Sequence, residues 1–144
     1  MLASLKATQN VSIFVTRSNS KLLSGRLASL LACNDFNKVF VAHFIENLVY
    51  NELLYRGYDF KIGKTYKGEI DFVTMKDGKK CFIQLAYLLS SYDVIEREFV
   101  AFDGVCAPSP KYVFSLDEYD MSKNGIIHFN IEDWLLNKVN ITLT

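Results

Sequence analysis

One acid and one amide face each other inside a short predicted hairpin. Two apolar segments flank the dipeptide Asp77-Gly78, and Asp-Gly between apolar runs strongly indicates a two-residue hairpin turn. The register that follows from this turn places Asp71 directly opposite Gln84, with Cβ atoms roughly 4.5–5.5 Å apart. A carboxylate and an amide oxygen at that separation could hold a hard cation such as Mg²⁺.

The same register makes a second, weaker pair further from the turn. It places Ala86 opposite Glu69, and an alanine supplies no functional group. We therefore expect Glu69 to be an additional acid without a cationic partner. Three lysines lie nearby in the sequence, and we interpret them as solvated charges at strand ends, with a lysine relocated into the site as the alternative: Lys64, Lys79 and Lys80.

The elements that must position these residues are read from apolar periodicity, which predicts an α/β domain with helices flanking a mixed sheet. Gly57 is a residue type that ends helices, and Ser90 or Ser91 can cap the start of another. The expected order is α-β-β-β-α-β-β-α. In chain order the elements are a long, largely buried helix over 36–56, strands at 58–63, 68–76 and 79–86, a helix from about 91 to 101, strands at 111–115 and 125–129, and a short helix over 131–138.

A separate segment precedes this domain. Residues 11–16 have the pattern of a short buried strand, and residues 21–32 carry leucines at helical spacing. The residues between them are types that cap helices. We therefore divide the chain into a strand–helix segment over 1–35 and an α/β domain over 36–144.

Composition excludes several classes of protein. The 144 residues carry a formal net charge of zero, which argues against strong non-specific binding to nucleic acid or to an anionic membrane. Three cysteines without C-x-x-C spacing indicate neither a disulfide framework nor a zinc site. The start does not read as a signal peptide and no apolar run is long enough to span a membrane, so we expect a cytoplasmic protein. His43 and His128 have no ligand-type residues at metal-binding spacing, and we interpret both as structural.

The arrangement of acids resembles that of restriction-endonuclease-like nucleases, whose signature is a Glu in the first helix, an Asp on the second strand and Glu-x-Lys on the third. Glu46 matches the helix acid and Asp71 the strand acid. Gln84 stands where the second Glu belongs, and Ala86 stands where the Lys belongs. The resemblance therefore implies a degenerate catalytic site made of Glu46, Asp71 and Gln84.

A narrower likeness covers residues 38–138, which resemble the C-terminal domain of a group of prokaryotic AAA-type ATPases. Residues 13–24 resemble the sensor strand, turn and helix of the same ATPases, with Asn19 at the place of the γ-phosphate sensor and Arg17 where Gly is usual. No phosphate-binding Gly-x-x-x-x-Gly-Lys-Ser/Thr loop is present. The segments that carry the C-terminal likeness are Phe44–Leu53, Gly68–Val73, Ile83–Tyr87, Ile95–Phe99, Pro110–Val113 and Gly125–Ile131.

The resemblance implies a function and its alternatives. An active nuclease of this type holds Mg²⁺ with its acids and uses the lysine to position water and stabilise charge. Without that lysine, we expect a truncated ATPase relative that does not hydrolyse ATP and whose nuclease-like domain binds nucleic acid or a protein. The alternative is a metal-dependent nuclease with a relocated lysine, in which Asp71, Gln84 and Glu46 hold Mg²⁺. A third hypothesis is a structural remnant that forms a homodimer through apolar surface.

Overall fold

Five strands form one mixed sheet in the part of the chain that the computed structural model describes, residues 38–144. The expected α/β class and the order of elements are confirmed, with a 3₁₀ helix as an addition. The predicted N-terminal strand and helix, together with Asn19, lie outside the described residues. The elements are α1 (Lys38–Tyr55), β1 (Asp59–Thr65), β2 (Gly68–Lys76), β3 (Lys79–Leu85), α2 (Tyr92–Val100), the 3₁₀ helix (Ala101–Gly104), β4 (Lys111–Ser115), β5 (Ile126–Asn130) and α3 (Ile131–Leu135).

The strands lie in the order β1-β2-β3-β4-β5 across the sheet, and their pairing changes from antiparallel to parallel at β3. The first three strands form an antiparallel meander, and β3, β4 and β5 are parallel. Parallel neighbours need a long crossover connection, and α2 supplies it between β3 and β4. The carboxyl ends of β3, β4 and β5 therefore lie at the same end of the sheet as the amino end of β2. We call this end the site edge.

The β2–β3 hairpin has the turn that its sequence predicts. Asp77 and Gly78 have φ values of 53° and 76°, as a type I′ turn requires at both central positions. Lys76 pairs with Lys79, and the pairing continues in register to Phe72 opposite Ile83. The local turn signal therefore determines the register of the hairpin.

Two apolar layers cover the two faces of the sheet. The first layer packs α1 and α3 against one face, and the second packs α2 and the 3₁₀ helix against the other. Strand β3 is buried on both faces: Cys81 and Ile83 belong to the first layer, and Phe82 belongs to the second. A strand buried on both faces reads as a continuous apolar run, as this segment does. The described part of the chain contains no helix long and apolar enough to cross a membrane.

A β-bulge interrupts the pairing of β1 with β2 at the acid of the predicted site. Asp71 and Phe72 of β2 together lie opposite the single residue Ile62 of β1. Residues two apart on a regular strand share a face, yet Ile70 packs in the second apolar layer and Phe72 in the first. Bulges bend a strand and re-aim its side chains. The bulge therefore determines where Asp71 points.

Candidate functional site at the end of the hairpin

Asp71 and Gln84 meet at the site edge, where the regular pairing of β2 with β3 ends. The Gln84 Oε1 atom accepts the main-chain N–H of Asp71 at 3.3 Å, and the Asp71 Oδ2 atom accepts the main-chain N–H of Leu85 at 2.7 Å. Each side chain thus takes the place of a main-chain acceptor on the opposite strand. The structure brings the two residues together as the turn register predicts, but their oxygens are used to close the hairpin.

Helix α2 adds a carboxylate to this pair that the sequence did not single out. Glu98 is 8% exposed, and its Oε2 atom accepts a hydrogen bond from Gln84 Nε2 at 3.1 Å. Its Oε1 atom accepts two from the Arg97 guanidinium, at 3.0 and 2.7 Å. The Gln84 amide is therefore bonded at both ends, to β2 through oxygen and to α2 through nitrogen.

The sequence around Glu98 is compatible with both an inward-facing and a solvent-exposed side chain. The periodicity of α2 predicts an inner face with Phe99, and Phe99 is buried in the second layer. Glu98 is the adjacent residue in a Glu-Arg-Glu run, which ordinarily indicates a solvated helix face. Only the position of Gln84 on β3 makes Glu98 an inward-facing partner.

The environment of Asp71 disfavours its charge. Burial raises the pKa of Asp71 to about 6, and the N–H of Leu85 opposes this shift. The negative charges of Glu46, Glu98 and Glu69 raise the pKa further, because a like charge nearby disfavours ionisation. A carboxyl group that titrates near neutral pH beside other acids is a candidate for a functional site.

Glu46 lies on α1 at the same edge of the sheet, with a different hydrogen-bond partner. Its Oε2 atom is 3.4 Å from His43 Nδ1, and its side chain is half-exposed. Together with Leu85 and Ala86 it lines a small cleft of about 30 Å³, which is on the order of the volume of one water molecule. The three predicted site residues thus share one end of the sheet, and the charge of Glu46 reaches Asp71.

Position 86 belongs to the core. Ala86 is 7% exposed in the second apolar layer, and its N–H donates to Phe114 O at 2.9 Å. The expectation that Glu69 has no cationic partner is wrong, whereas its position opposite Ala86 lies beyond the paired residues of β2 and β3 and stays a prediction. Beyond the bulge, Glu69 pairs with Lys64 of β1, whose Nζ atom is 3.8 Å from Glu69 Oε1.

The other two nearby lysines lie at the far end of the hairpin. Lys79 pairs with Lys76 next to the turn, and Lys80 pairs with Met75. Lys79, Lys80 and Lys64 are all exposed. Within residues 38–144, none of these three lysines is hydrogen-bonded to Asp71.

Binding of Mg²⁺ at the site edge would require oxygens that already accept main-chain hydrogen bonds. Within the described residues, no group of three or more His, Cys, Asp or Glu side chains is arranged to hold a metal ion. Mg²⁺ requires near-octahedral oxygen ligands, whereas an oxygen of Asp71 and the only side-chain oxygen of Gln84 already accept main-chain N–H groups. Coordination of Mg²⁺ by Asp71, Gln84 and Glu46 stays a prediction.

Fold and site together define the class of this domain: a mixed α/β sheet with a buried carboxylate–amide pair at the end of an antiparallel hairpin. Comparison with family models, curated proteins and solved structures finds no match to this chain. The likeness to restriction-endonuclease-like nucleases therefore rests on the residues of this sequence alone.

Proposed function

We propose that residues 38–144 are a nuclease-like domain that binds nucleic acid without cleaving it, in a relative of AAA-type ATPases that does not hydrolyse ATP. The proposed loss of cleavage is supported by the hydrogen bonds of Gln84, which involve both the oxygen and the nitrogen of its amide. Its amide joins Asp71 N–H to the buried carboxylate of Glu98, and the position of the expected lysine is a buried alanine. A phosphodiester attacked here lacks the lysine that would stabilise its developing charge, and the nearby Arg97 is paired with Glu98.

The binding surface that fits this proposal is the turn between β1 and β2. Tyr66 is 79% exposed, and the Lys67 ammonium lies over its ring at 5.7 Å from the centroid. Lys64 precedes the turn with a largely exposed side chain. We call Lys64, Tyr66 and Lys67 the β1–β2 turn surface. An exposed aromatic ring flanked by lysines can stack a base and contact the adjacent phosphates.

The turn surface is ordered and close to the site. Thr65 Oγ1 accepts the N–H groups of Lys67 and Gly68 at 3.2 and 3.1 Å, which holds the turn together. The Tyr66 hydroxyl donates to Asp103 O at 3.4 Å, which joins the turn to the 3₁₀ helix. Gly68 begins β2, the strand that carries Asp71 near its amino end. The turn surface therefore lies at the same end of β2 as the candidate site.

The direct test is binding of labelled single-stranded, duplex and branched DNA, and of RNA, measured by fluorescence anisotropy at low and at physiological salt. We expect binding that weakens with salt, because phosphate contacts release counterions. The double variant Y66A/K67A should weaken binding by about tenfold, in line with the loss of one stacked base. Tyr119→Ala is the matched control, since Tyr119 is 80% exposed on another loop. Equal losses in both variants, or no binding by the wild type, contradict the proposal.

A metal-dependent nuclease is the second candidate, and the raised pKa of Asp71 favours it. Carboxylates that raise one another's pKa bind a cation with relief of their repulsion. The test is incubation with Mg²⁺ or Mn²⁺ and the same DNA substrates. Cleavage that disappears in Asp71→Ala supports this candidate and overturns the first. Alanine variants of Lys64, Lys79 and Lys80 then identify the relocated lysine.

Homodimerisation has one supporting observation, four exposed apolar side chains on α1 and β1. Tyr50, Leu54, Tyr55 and Ile62 are 42%, 52%, 52% and 48% exposed. Exposed apolar side chains close together indicate an interaction surface when they form a continuous patch. A molar mass by light scattering equal to that of the monomer excludes this hypothesis over the concentrations measured.

A further inference from the structure

Three polar side chains form a buried relay at the carboxyl ends of β4 and β5. Ser115 is 0% exposed and His128 is 5% exposed. The Ser115 hydroxyl donates to Asp117 Oδ2 at 2.6 Å, and His128 Nε2 lies 2.8 Å from the Ser115 oxygen. We call Ser115, Asp117 and His128 the serine relay. None of these contacts takes part in the proposed binding of nucleic acid.

The direction of each hydrogen bond follows from one contact. The main-chain N–H of Met121 donates to His128 Nδ1 at 3.3 Å, so Nδ1 carries no proton. In the neutral imidazole the proton then lies on Nε2 and is donated to Ser115, whose own hydroxyl proton is donated to Asp117. The serine donates to the acid and accepts from the imidazole, and both serine and imidazole are buried. This order is the reverse of a hydrolase triad, in which the imidazole accepts the serine proton.

The relay joins three segments of the chain. Asp117 Oδ2 also accepts the N–H of Leu89 at 2.7 Å, which fixes the segment 86–91 that follows β3. Ser122 Oγ accepts the N–H of His128 at 2.9 Å, which fixes the loop 116–125 against β5. The segment 86–91 starts two residues after Gln84. The relay therefore determines the position of the chain beside the candidate site.

We propose that His128 is a pH-sensitive lock, whose protonation breaks its contact with Met121 and releases this part of the loop 116–125 while the sheet stays folded. An imidazolium has protons on both nitrogens, so Nδ1 then faces the N–H of Met121 as a second donor. The hydrogen bond that is lost joins the loop to β5, whereas the bond from Leu89 to Asp117 does not involve the imidazole and is kept. The pairing of β4 with β5 does not depend on the lost bond.

Two opposing effects act on the pKa of His128: the charged groups around it raise the pKa, and burial lowers it. The carboxylates of Asp117 and Asp120 face the imidazole and favour its cation, as does the carbonyl of Tyr119. Burial has the larger effect and lowers the pKa of His128 below its ordinary value. Hydrogen bonds from Ser122 lower the pKa of Asp120, so this acid is still charged when the histidine is protonated.

The sign of the pH effect follows from these groups. The released loop leaves His128 with an ordinary pKa near 6.5, higher than in the closed form. Opening therefore becomes more favourable as the pH falls below about 6.5, by up to about tenfold per pH unit, until the closed form is itself protonated.

The test is amide hydrogen exchange by NMR between about pH 7.5 and about pH 5, with each rate divided by its intrinsic rate. We expect the exchange of Met121 to accelerate by up to about tenfold per pH unit, while Leu89, whose N–H donates to Asp117, and Thr74 in the hairpin stay protected. His128→Gln should remove this pH dependence. His43→Gln is the control, because His43 is the chain's other histidine and is exposed on α1.

If His128→Gln does not fold, the amide exchange of the wild type alone tests the proposed lock. Protection of Met121 that is unchanged to pH 5, or protection of Leu89 that is lost together with it, overturns the lock. A pH dependence that persists in folded His128→Gln, or disappears in His43→Gln, also overturns it.

Discussion

The candidate site around Asp71 and the serine relay around His128 lie at the same end of one sheet, and burial acts on them with opposite consequences. Burial disfavours whichever form is charged, so it raises the pKa of Asp71 and lowers the pKa of His128. The Asp71 contribution to stability is lost as the pH rises from 3.8 through about 6, whereas the His128 contribution is lost as the pH falls below its ordinary value of 6.5. The two regions therefore respond to acid pH in opposite directions.

The two regions also differ in how completely their polar groups are paired. Every member of the serine relay has a directed partner, and its serine and histidine are buried. In the candidate site, Glu98 is buried and paired with Arg97, whereas Asp71 is half-buried and has no ion pair among the described residues. Acids that raise the pKa of one another are typical of candidate functional sites, whereas the relay is typical of a structural network.

Restoring the missing acid should produce the largest effect. Gln84→Glu places a second carboxylate at hydrogen-bond distance from the buried Glu98. We expect a loss of roughly 3 kcal/mol or more in the free energy of unfolding at pH 8, as for an uncompensated buried charge. Urea unfolding curves measure it. The double variant Q84E/E98Q, which exchanges acid and amide, should recover most of the loss. A loss that is equally large in the double variant contradicts the role of Glu98.

Neutralising Asp71 should have the next largest effect, with the opposite sign. Its folded pKa of about 6 lies above the unfolded value of 3.8, so the associated stability is complete below pH 3.8 and is lost as the pH rises through about 6. At pH 8 the ionised group costs up to about 3 kcal/mol, at 1.36 kcal/mol per pKa unit. Asp71→Asn keeps an acceptor for Leu85 N–H and should gain most of this free energy.

Chemical unfolding of Asp71→Asn between pH 4 and pH 8 measures the gain. Asp59→Asn, at an exposed acid on β1, is the matched control and should leave the profile unchanged. A variant that is less stable than the wild type at pH 8 shows that Asp71 is held by favourable charge interactions, contrary to our expectation.

Removing the imidazole should have a smaller effect that sharpens the contrast. At pH 7.5, His128→Gln leaves the half-buried Met121 N–H without its acceptor, which costs about 0.5–1.5 kcal/mol, the contribution of one hydrogen bond. Because the folded pKa of His128 is lowered, the wild type loses stability as the pH falls from about 6.5. The difference between wild type and variant should therefore shrink at acid pH. A constant difference from pH 7.5 to pH 5 would show that His128 does not titrate in the folded protein.

The smallest effect should come from Lys64→Ala. Its ion pair with Glu69 spans 3.8 Å between exposed side chains, and such pairs contribute about 0–1 kcal/mol. We expect thermal unfolding to change little. A loss of several degrees in Tm would place Lys64 in the site and favour the relocated-lysine nuclease.

Local signals in the sequence were sufficient for much of the fold. Asp77-Gly78 predicted its turn because positive φ at two positions is a property of those residues themselves. Ser91 caps α2, accepting the N–H of Val94 at 3.4 Å, as its residue type predicts. The register from the turn was correct up to Phe72 and Ile83.

The sequence was insufficient where tertiary packing decides. The bulge at Asp71 and Phe72 depends on β1 and on which apolar layer each side chain enters, so the hairpin register alone could not predict it. Beyond the same bulge, Glu69 pairs with Lys64 of β1, a partner that the hairpin register does not include. Glu98 was missed because its inward direction depends on Gln84, which lies on another element.

The most direct measurement is one electrophoretic assay that reports binding and cleavage together. Labelled single-stranded, duplex and branched DNA is incubated with the protein in Mn²⁺, and each sample is run on a native and a denaturing gel. We predict a slower-migrating complex, weakened in Y66A/K67A, whose DNA is intact on the denaturing gel. Fragments made by the wild type and absent with Asp71→Ala would contradict the proposal that this nuclease-like domain binds without cleaving.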